Sequence, residues 1–196
     1  MKNSYVVVGL FSVCLLCPIL HAHTFLSKAW WHSFFMPTPK IKKKAPIILP
    51  AGANRLHQAA LENNVDLLED AIENGINVNL SDHEGKTPLH YAAATGNIAI
   101  VEKFIHQGAR VKAKDREGNT ALHYAALIGH CKIISALLDA RAPCNSKNAA
   151  GITPLVYATM HQHAPAASLL IAADADFSAV NTHGQTSLHI AAYNGD

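Results

Sequence analysis

Thirteen histidines are the residues of this 196-residue chain whose chemistry first needs an explanation. Neutral imidazoles are common ligands of zinc, copper and other transition metals. After the first quarter of the chain, one pair stands at a ligand-like spacing, His161 and His163. No cysteine or carboxylate lies near this pair in sequence to complete a four-ligand site, so metal binding remains an alternative without a ligand set.

The cysteines and carboxylates form no catalytic pattern. Cys14 and Cys17 lie in a run too apolar to be a redox loop, so we interpret their C-x-x-C spacing as chance. Cys131 and Cys144 are not spaced as a zinc site, and we interpret them as free thiols. A disulfide between the last two is the alternative in an oxidising compartment. The chain has no G-x-S-x-G, no Walker phosphate loop and no H-E-x-x-H. We therefore expect a protein that is not an enzyme and has no cofactor.

The charge pattern argues against nucleic acid as the main partner. The formal net charge is only +2. The densest basic run, Lys40 and residues 42–44, lies in a proline-rich stretch. A nucleic-acid-binding domain needs its lysines and arginines concentrated on the folded part of the chain.

A 33-residue repeat accounts for three of the histidines. T-P-L-H-Y-A-A at residues 87–93 recurs as T-A-L-H-Y-A-A at 120–126, T-P-L-V-Y-A-T at 153–159 and T-S-L-H-I-A-A at 186–192. A degenerate first copy, L-H-Q-A-A, occupies residues 56–60. His90, His123 and His189 are thus repeat positions. We expect these side chains to hydrogen-bond the turn backbone between neighbouring repeats.

Each residue type in the repeat has a mechanical role. An Asp or Asn three residues before a glycine, as at Asp82 and Gly85, is typical of a turn. Threonine then caps a helix, and proline at the next position loses no hydrogen bond. Leucine and alanine form its apolar stripe, glycine ends it, and a second amphipathic helix follows. One such unit cannot bury its own apolar face, whereas a stack of units can.

These features resemble the ankyrin repeat over residues 54–196. The resemblance implies an all-α fold, a solenoid of helix-turn-helix units with turn hairpins. The repeats would occupy residues 51–81, 82–114, 115–147 and 148–180, with a partial repeat at 181–196. The family's role, as the resemblance implies it, is protein–protein binding through the turn tips and the inner face of the first helices. It implies no shared catalytic residues.

Five residues depart from the repeat pattern. Val156 replaces the histidine, Gln162 replaces the loop glycine, and Pro165 falls early in the second helix of the same repeat. Arg141 and Asp174 replace the glycine after the second helix. We expect the repeat at 148–180 to be the least regular, with a strained loop near Gln162.

Positions that neither turns nor packing require predict the partner-binding surface. At the turn tips these are His83, Glu84, Lys86, Arg116, Glu117, Asn119, Ile152, His183 and Gln185. At the ends of the first helices they are Thr95, Leu127, Ile128, Met160, His161 and Tyr193. Exposed apolar members of such a set commonly mark an interface, although they could instead fill gaps between repeats.

The first 50 residues differ in character from the repeats. Residues 6–20 carry no charge and follow Lys2, which fits a secretory signal peptide over residues 1–22. The alternatives are an uncleaved membrane anchor, with membrane contact through residues 6–35, or a buried helix of the fold. Residues 23–50, rich in aromatic residues, proline and lysine, predict a linker.

Together these observations predict a module that binds a protein partner and is exported, periplasmic or secreted. Anchoring in the membrane is the alternative location. A secreted effector that engages a host protein is the alternative function.

Overall fold

The computed structural model describes residues 51–194. Within this part of the chain there are α-helices and no strands. The helices are α1 (Arg55–Glu62), α2 (Val65–Glu73), α3 (Pro88–Thr95), α4 (Ile98–His106), α5 (Ala121–Ile128), α6 (Cys131–Asp139), α7 (Pro154–Met160), α8 (Ala164–Ala172) and α9 (Ser187–Asn194). Odd-numbered helices are the first helices of successive repeats, and even-numbered helices are the second. This arrangement confirms the predicted all-α stack of helix-turn-helix units.

None of the helices between residues 51 and 194 is long and apolar enough to cross a lipid bilayer. The predicted signal peptide or anchor and the predicted linker lie outside the described residues. Their assignment stays a prediction.

The core of the stack consists of equivalent side chains from each repeat. Leu89, Leu122 and Leu155 are each at most 2% exposed. Each first helix packs against the first helix of the next repeat, and the alanines that follow these leucines are buried between them. Because alanine is small, it allows neighbouring helices to approach closely.

A histidine in the first turn of the first helices links one repeat to the next. The Thr120 amide donates to Nδ1 of His123 at 3.0 Å, which places the ring proton on Nε2. That Nε2–H lies 3.1 Å from the Ile152 carbonyl oxygen in the following turn. His90 makes the equivalent link to the Asn119 carbonyl at 3.2 Å. The predicted inter-repeat role is confirmed for His90 and His123, whereas His189 bonds Thr186 of its own repeat.

The turns are organised by a buried carboxylate or amide. Oδ1 of Asp82 accepts hydrogen bonds from the amides of Glu84 and Lys86, both at 2.9 Å, and Oδ2 accepts one from the Tyr91 hydroxyl at 2.6 Å. Burial, followed by the hydrogen bond to Asp82, raises the pKa of Tyr91, so the phenol stays a donor. Neighbouring turns are also joined directly, because the Arg116 amide donates to the Glu84 carbonyl at 2.9 Å.

The repeat at residues 148–180 is irregular where the sequence predicts it. Gln162 has a φ of 58°, in the left-handed region, which confirms the strained loop. Helix α7 has 7 residues, whereas α1, α3, α5 and α9 have 8. Pro165 is tolerated because it is the second residue of α8, where its missing amide proton is not needed.

Candidate protein-interaction surface

The turn tips form one row of candidate contact residues. His83, Arg116 and Glu117 are exposed, as are His183 and Gln185. Glu84, Lys86 and Ile152 are half-buried. Because successive turns are hydrogen-bonded to each other, these side chains lie along a continuous edge of the stack.

Lys86 is held in place by its neighbours. Its Nζ lies 2.8 Å from an oxygen of Glu84, and it stands 5.9 Å and 5.7 Å from the ring centroids of Tyr91 and Tyr124. A cation over aromatic rings at this distance is stabilised by their electron-rich faces. The tip of the second repeat is therefore a fixed charge pair.

Asn119 is not part of the accessible tip, and the expectation that it would be is wrong. The residue is only 4% exposed. Its Nδ2 donates to Glu117 at 3.2 Å, and its Oδ1 accepts from Nδ2 of Asn148 at 2.8 Å. Asn119 thus joins two adjacent turns.

An apolar row crosses the first helices. It contains the residue at the same position near the end of each first helix: Leu61, Ala94, Leu127, Met160 and Tyr193. The first four are half-buried and Tyr193 is 64% exposed. Because successive first helices pack side by side, these residues are neighbours. Leu61 and Ala94 were not among the predicted contact residues, although the 33-residue step leads directly to both.

Histidines from the following repeats fix the helix ends that carry this row. Nε2–H of His130 lies 3.3 Å from the Ala94 carbonyl oxygen, and Nε2–H of His163 lies 3.1 Å from that of Leu127. Both carbonyls belong to the last turn of a first helix, which has no partner within the helix for them. The row is therefore held by contacts between repeats as well as within them.

The next position along each first helix is less uniform. The Thr95 hydroxyl donates to the Ala60 carbonyl at 3.0 Å, so it is engaged in stacking. Ile128 is 37% exposed and free to contact a partner. The His161 ring stacks on His163, with 6.2 Å between centroids, and burial followed by the nearby His163 lowers the pKa of His161.

The histidines of residues 51–194 do not form a metal-binding cluster. Between residues 51 and 194 no three or more histidines, cysteines or carboxylates converge as a metal site would require. The two cysteines in this part of the chain are free thiols. His161 and His163 therefore remain a pair without further ligands.

A stack of paired helices with projecting turns and an apolar row defines a repeat solenoid, a scaffold that presents an extended surface. A family model described as Ankyrin repeats (3 copies) matches residues 56–148 and, in an overlapping second match, residues 129–196. The chain belongs to the ankyrin-repeat family, whose members are generally protein–protein interaction modules. No curated protein matches the chain.

Proposed function

We propose that this protein is a non-enzymatic module that binds another protein through the apolar row and the adjoining turn tips. The observation that carries the proposal is the row itself, which continues through all five repeats. Apolar residues on the first helices and charged residues at the turn tips, such as Glu84 and Arg116, together have the composition of an interface with a dry centre and a polar rim. Tyr193 of the row and Ile128, the residue after Leu127, are exposed apolar side chains.

The core experiment compares two double variants of the full chain. Leu127→Asp with Met160→Asp places two carboxylates in the middle of the row. Val65→Asp with Ile171→Asp makes the same chemical change at exposed apolar positions on second helices, which are 36% and 53% exposed. Each variant, and the wild type, is used as bait with extract of the cells that make the protein, and bound proteins are quantified by mass spectrometry.

A protein that the wild type and the second-helix variant retain, and the row variant loses, supports the proposal. The free energies of unfolding of both variants, measured in urea, must match, because only then can a loss of binding be distinguished from a loss of folded protein. Equal retention by all three baits would refute binding through the row.

We also propose that the module works outside the cytoplasm, as an exported protein or on a membrane anchor. The support is the uncharged stretch at residues 6–20 after a single basic residue. Intact-mass measurement of native protein in separated soluble and membrane fractions tests this. A soluble species lacking about the first 22 residues supports export, and a full-length species in the membrane fraction supports an anchor. A full-length soluble species contradicts both.

A further inference from the structure

A second surface lies on the loops that connect each second helix to the next turn. We call these segments, at residues 75–81, 108–114, 141–147 and 174–180, the connecting loops. They lie side by side. Oδ1 of Asn79 accepts from the Arg110 amide at 2.7 Å, and Lys114 Nζ donates to the Lys147 carbonyl at 2.8 Å. The third and fourth loops are joined in the same way, through Asn145.

The charge of the connecting loops changes sign along the stack. The first loop has no charged residue. The second and third carry five exposed cations, which we call the cationic edge: Arg110, Lys112, Lys114, Arg141 and Lys147. The fourth loop instead carries Asp174 and Asp176, both exposed.

The cations of the second loop are more exposed than the apolar residues between them. Val111 and Ala113 are half-buried, whereas the residues on either side of them are exposed. Residues 110–113 form a turn, in which the Ala113 amide donates to the Arg110 carbonyl at 3.0 Å. The turn leaves Arg110 and Lys112 exposed to solvent, and Lys114 is exposed but bonded through Nζ to the third loop.

Stacking does not account for Lys112. In the first and third loops the equivalent residue is asparagine, whose side chain accepts a hydrogen bond from an amide of the next loop. The amide that would serve Lys112 belongs to Pro143, which has no proton to donate. Lys112 has no hydrogen bond or ion pair with any residue of the described part of the chain. Its charge is available to a partner.

Stacking does not account for Arg141 and Asp174 either. Their φ angles are 60° and 59°, in the left-handed region that the equivalent Gly75 and Gly108 adopt without strain. The two opposite charges stand on neighbouring repeats, yet their side chains form no ion pair with each other or with any other residue of 51–194. A strained residue whose side chain forms no stabilising ion pair within the protein is a candidate for a role in binding.

The fourth loop keeps its negative charge. Hydrogen bonds from the hydroxyl and amide of Ser178, at 2.6 Å and 2.8 Å, lower the pKa of Asp176. A flat anionic surface laid along the connecting loops would meet these carboxylates as well as the cations. A short polypeptide with both signs of charge meets only favourable groups.

We propose that the cationic edge binds a polypeptide segment whose cluster of carboxylates is followed by a basic residue. The carboxylates would lie over the second and third loops and the basic group over the fourth. This contact is separate from the apolar row and does not depend on what binds there.

The test uses two peptides of identical composition, EEEEGGKK and EKEGEGEK, each with a fluorescent label. Binding to the full chain is followed by fluorescence anisotropy at low ionic strength, where exposed charges are least screened. Lys112→Glu is compared with Lys132→Glu, which makes the same change in net charge at an exposed lysine of α6. Vesicles of phosphatidylserine and phosphatidylcholine are titrated with the same three proteins.

We expect the wild type to prefer EEEEGGKK, and Lys112→Glu to weaken that binding about fivefold, as loss and reversal of exposed ion pairs would. Lys132→Glu should leave it within about twofold. Asp174→Lys with Asp176→Lys should remove the preference between the peptides. Equal binding of both peptides by the wild type, or equal effects of the two lysine substitutions, would overturn the proposal. A Lys112-dependent loss seen with vesicles and not with EEEEGGKK would identify the edge as a membrane contact instead.

Discussion

Two residues on neighbouring repeats, Gly129 and His163, give the sharpest test of how the repeats stack. The His163 ring lies across the glycine, and a Cβ atom added to Gly129 would stand 2.7 Å from its Cγ. Nε2–H of the same ring is bonded to the Leu127 carbonyl, so the ring cannot move aside without losing that hydrogen bond. Gly96 and His130 repeat the arrangement.

The first repeat supplies the natural comparison. Asn63 occupies the same loop position as Gly129, with a φ of 54°, and in the next repeat the position equivalent to His163 is Asn97, not histidine. A side chain is therefore accepted at this position where no imidazole covers it. We infer that glycine is required at position 129 by the neighbouring ring as well as by its own φ of 83°.

Gly129→Asn is expected to lower the free energy of unfolding by about 2 kcal/mol. About 1 kcal/mol comes from left-handed backbone strain, offset by about 0.5 kcal/mol of unfolded-state entropy. A further ~1.5 kcal/mol comes from the displaced ring and its lost hydrogen bond. In a His163→Asn background the ring is absent, so the same substitution should cost about 0.5 kcal/mol. A coupling of about 1.5 kcal/mol is ordinary for residues in contact.

Urea unfolding of the four proteins of this cycle, followed by far-ultraviolet circular dichroism, measures the coupling. Gly75→Asn is the control, because it also has a left-handed φ, of 71°, but a Cβ there would meet nothing within 4 Å. Its cost should be about 0.5 kcal/mol, from backbone strain less unfolded-state entropy. An equal cost of Gly129→Asn in both backgrounds, or a cost no greater than that of Gly75→Asn, would refute the role of the His163 ring.

Three further predictions test burial, protonation and strain. Leu122→Ala should lower the free energy of unfolding in urea by about 3 kcal/mol, because Leu122 is 0% exposed. Leu188 is at the equivalent position but 62% exposed, so Leu188→Ala should lower it by less than about 0.5 kcal/mol. Similar costs for the two substitutions would contradict the burial pattern. Burial lowers the pKa of His123 to about 4, below its ordinary 6.5. Between pH 6.5 and pH 4 the histidine is therefore protonated in the unfolded chain and neutral in the folded chain. His123 should therefore contribute up to about 3 kcal/mol of stability above pH 6.5 that is lost on acidification to pH 4. His123→Val should reduce this difference between unfolding at neutral and acidic pH, and an unchanged difference would assign it to other groups. Arg141→Gly should stabilise the protein by about 0.5 kcal/mol by relieving left-handed strain, while weakening EEEEGGKK binding; a loss of stability would show that the arginine side chain contributes to packing.

Much of the fold follows from the sequence because the repeat is covalently periodic. The 33-residue step places every helix, and the residue types within one unit name its turn, its cap and its apolar stripe. The strain at Gln162 was also predictable, because a glycine position filled by glutamine keeps the backbone conformation of its neighbours. These inferences need only the unit and its spacing.

The contacts between units are less accessible from the sequence. Asn119 is a residue type that is common in exposed turns, but its side chain is hydrogen-bonded by Asn148 of the next repeat. His130 and His163 occupy positions where Asn64 and Asn97 cap their own helices through the side chain, so comparison along the repeat suggests a cap. Their actual role is to hydrogen-bond the preceding repeat. This role depends on how neighbouring repeats pack against each other, which the residue types of one repeat do not specify.

Departures from the repeat therefore fall into two physical kinds. In the first kind, two changes compensate each other: a glycine in the loop accompanies a histidine in the next repeat, and Asn63 accompanies Asn97. Stacking explains both members of such a pair. In the second kind there is no compensation, as at Arg141 and Asp174, whose strained residues form no side-chain ion pair within residues 51–194. Because uncompensated departures do not stabilise the stack, they indicate residues retained for binding. The connecting loops, which carry these residues, are therefore the surface to test after the apolar row.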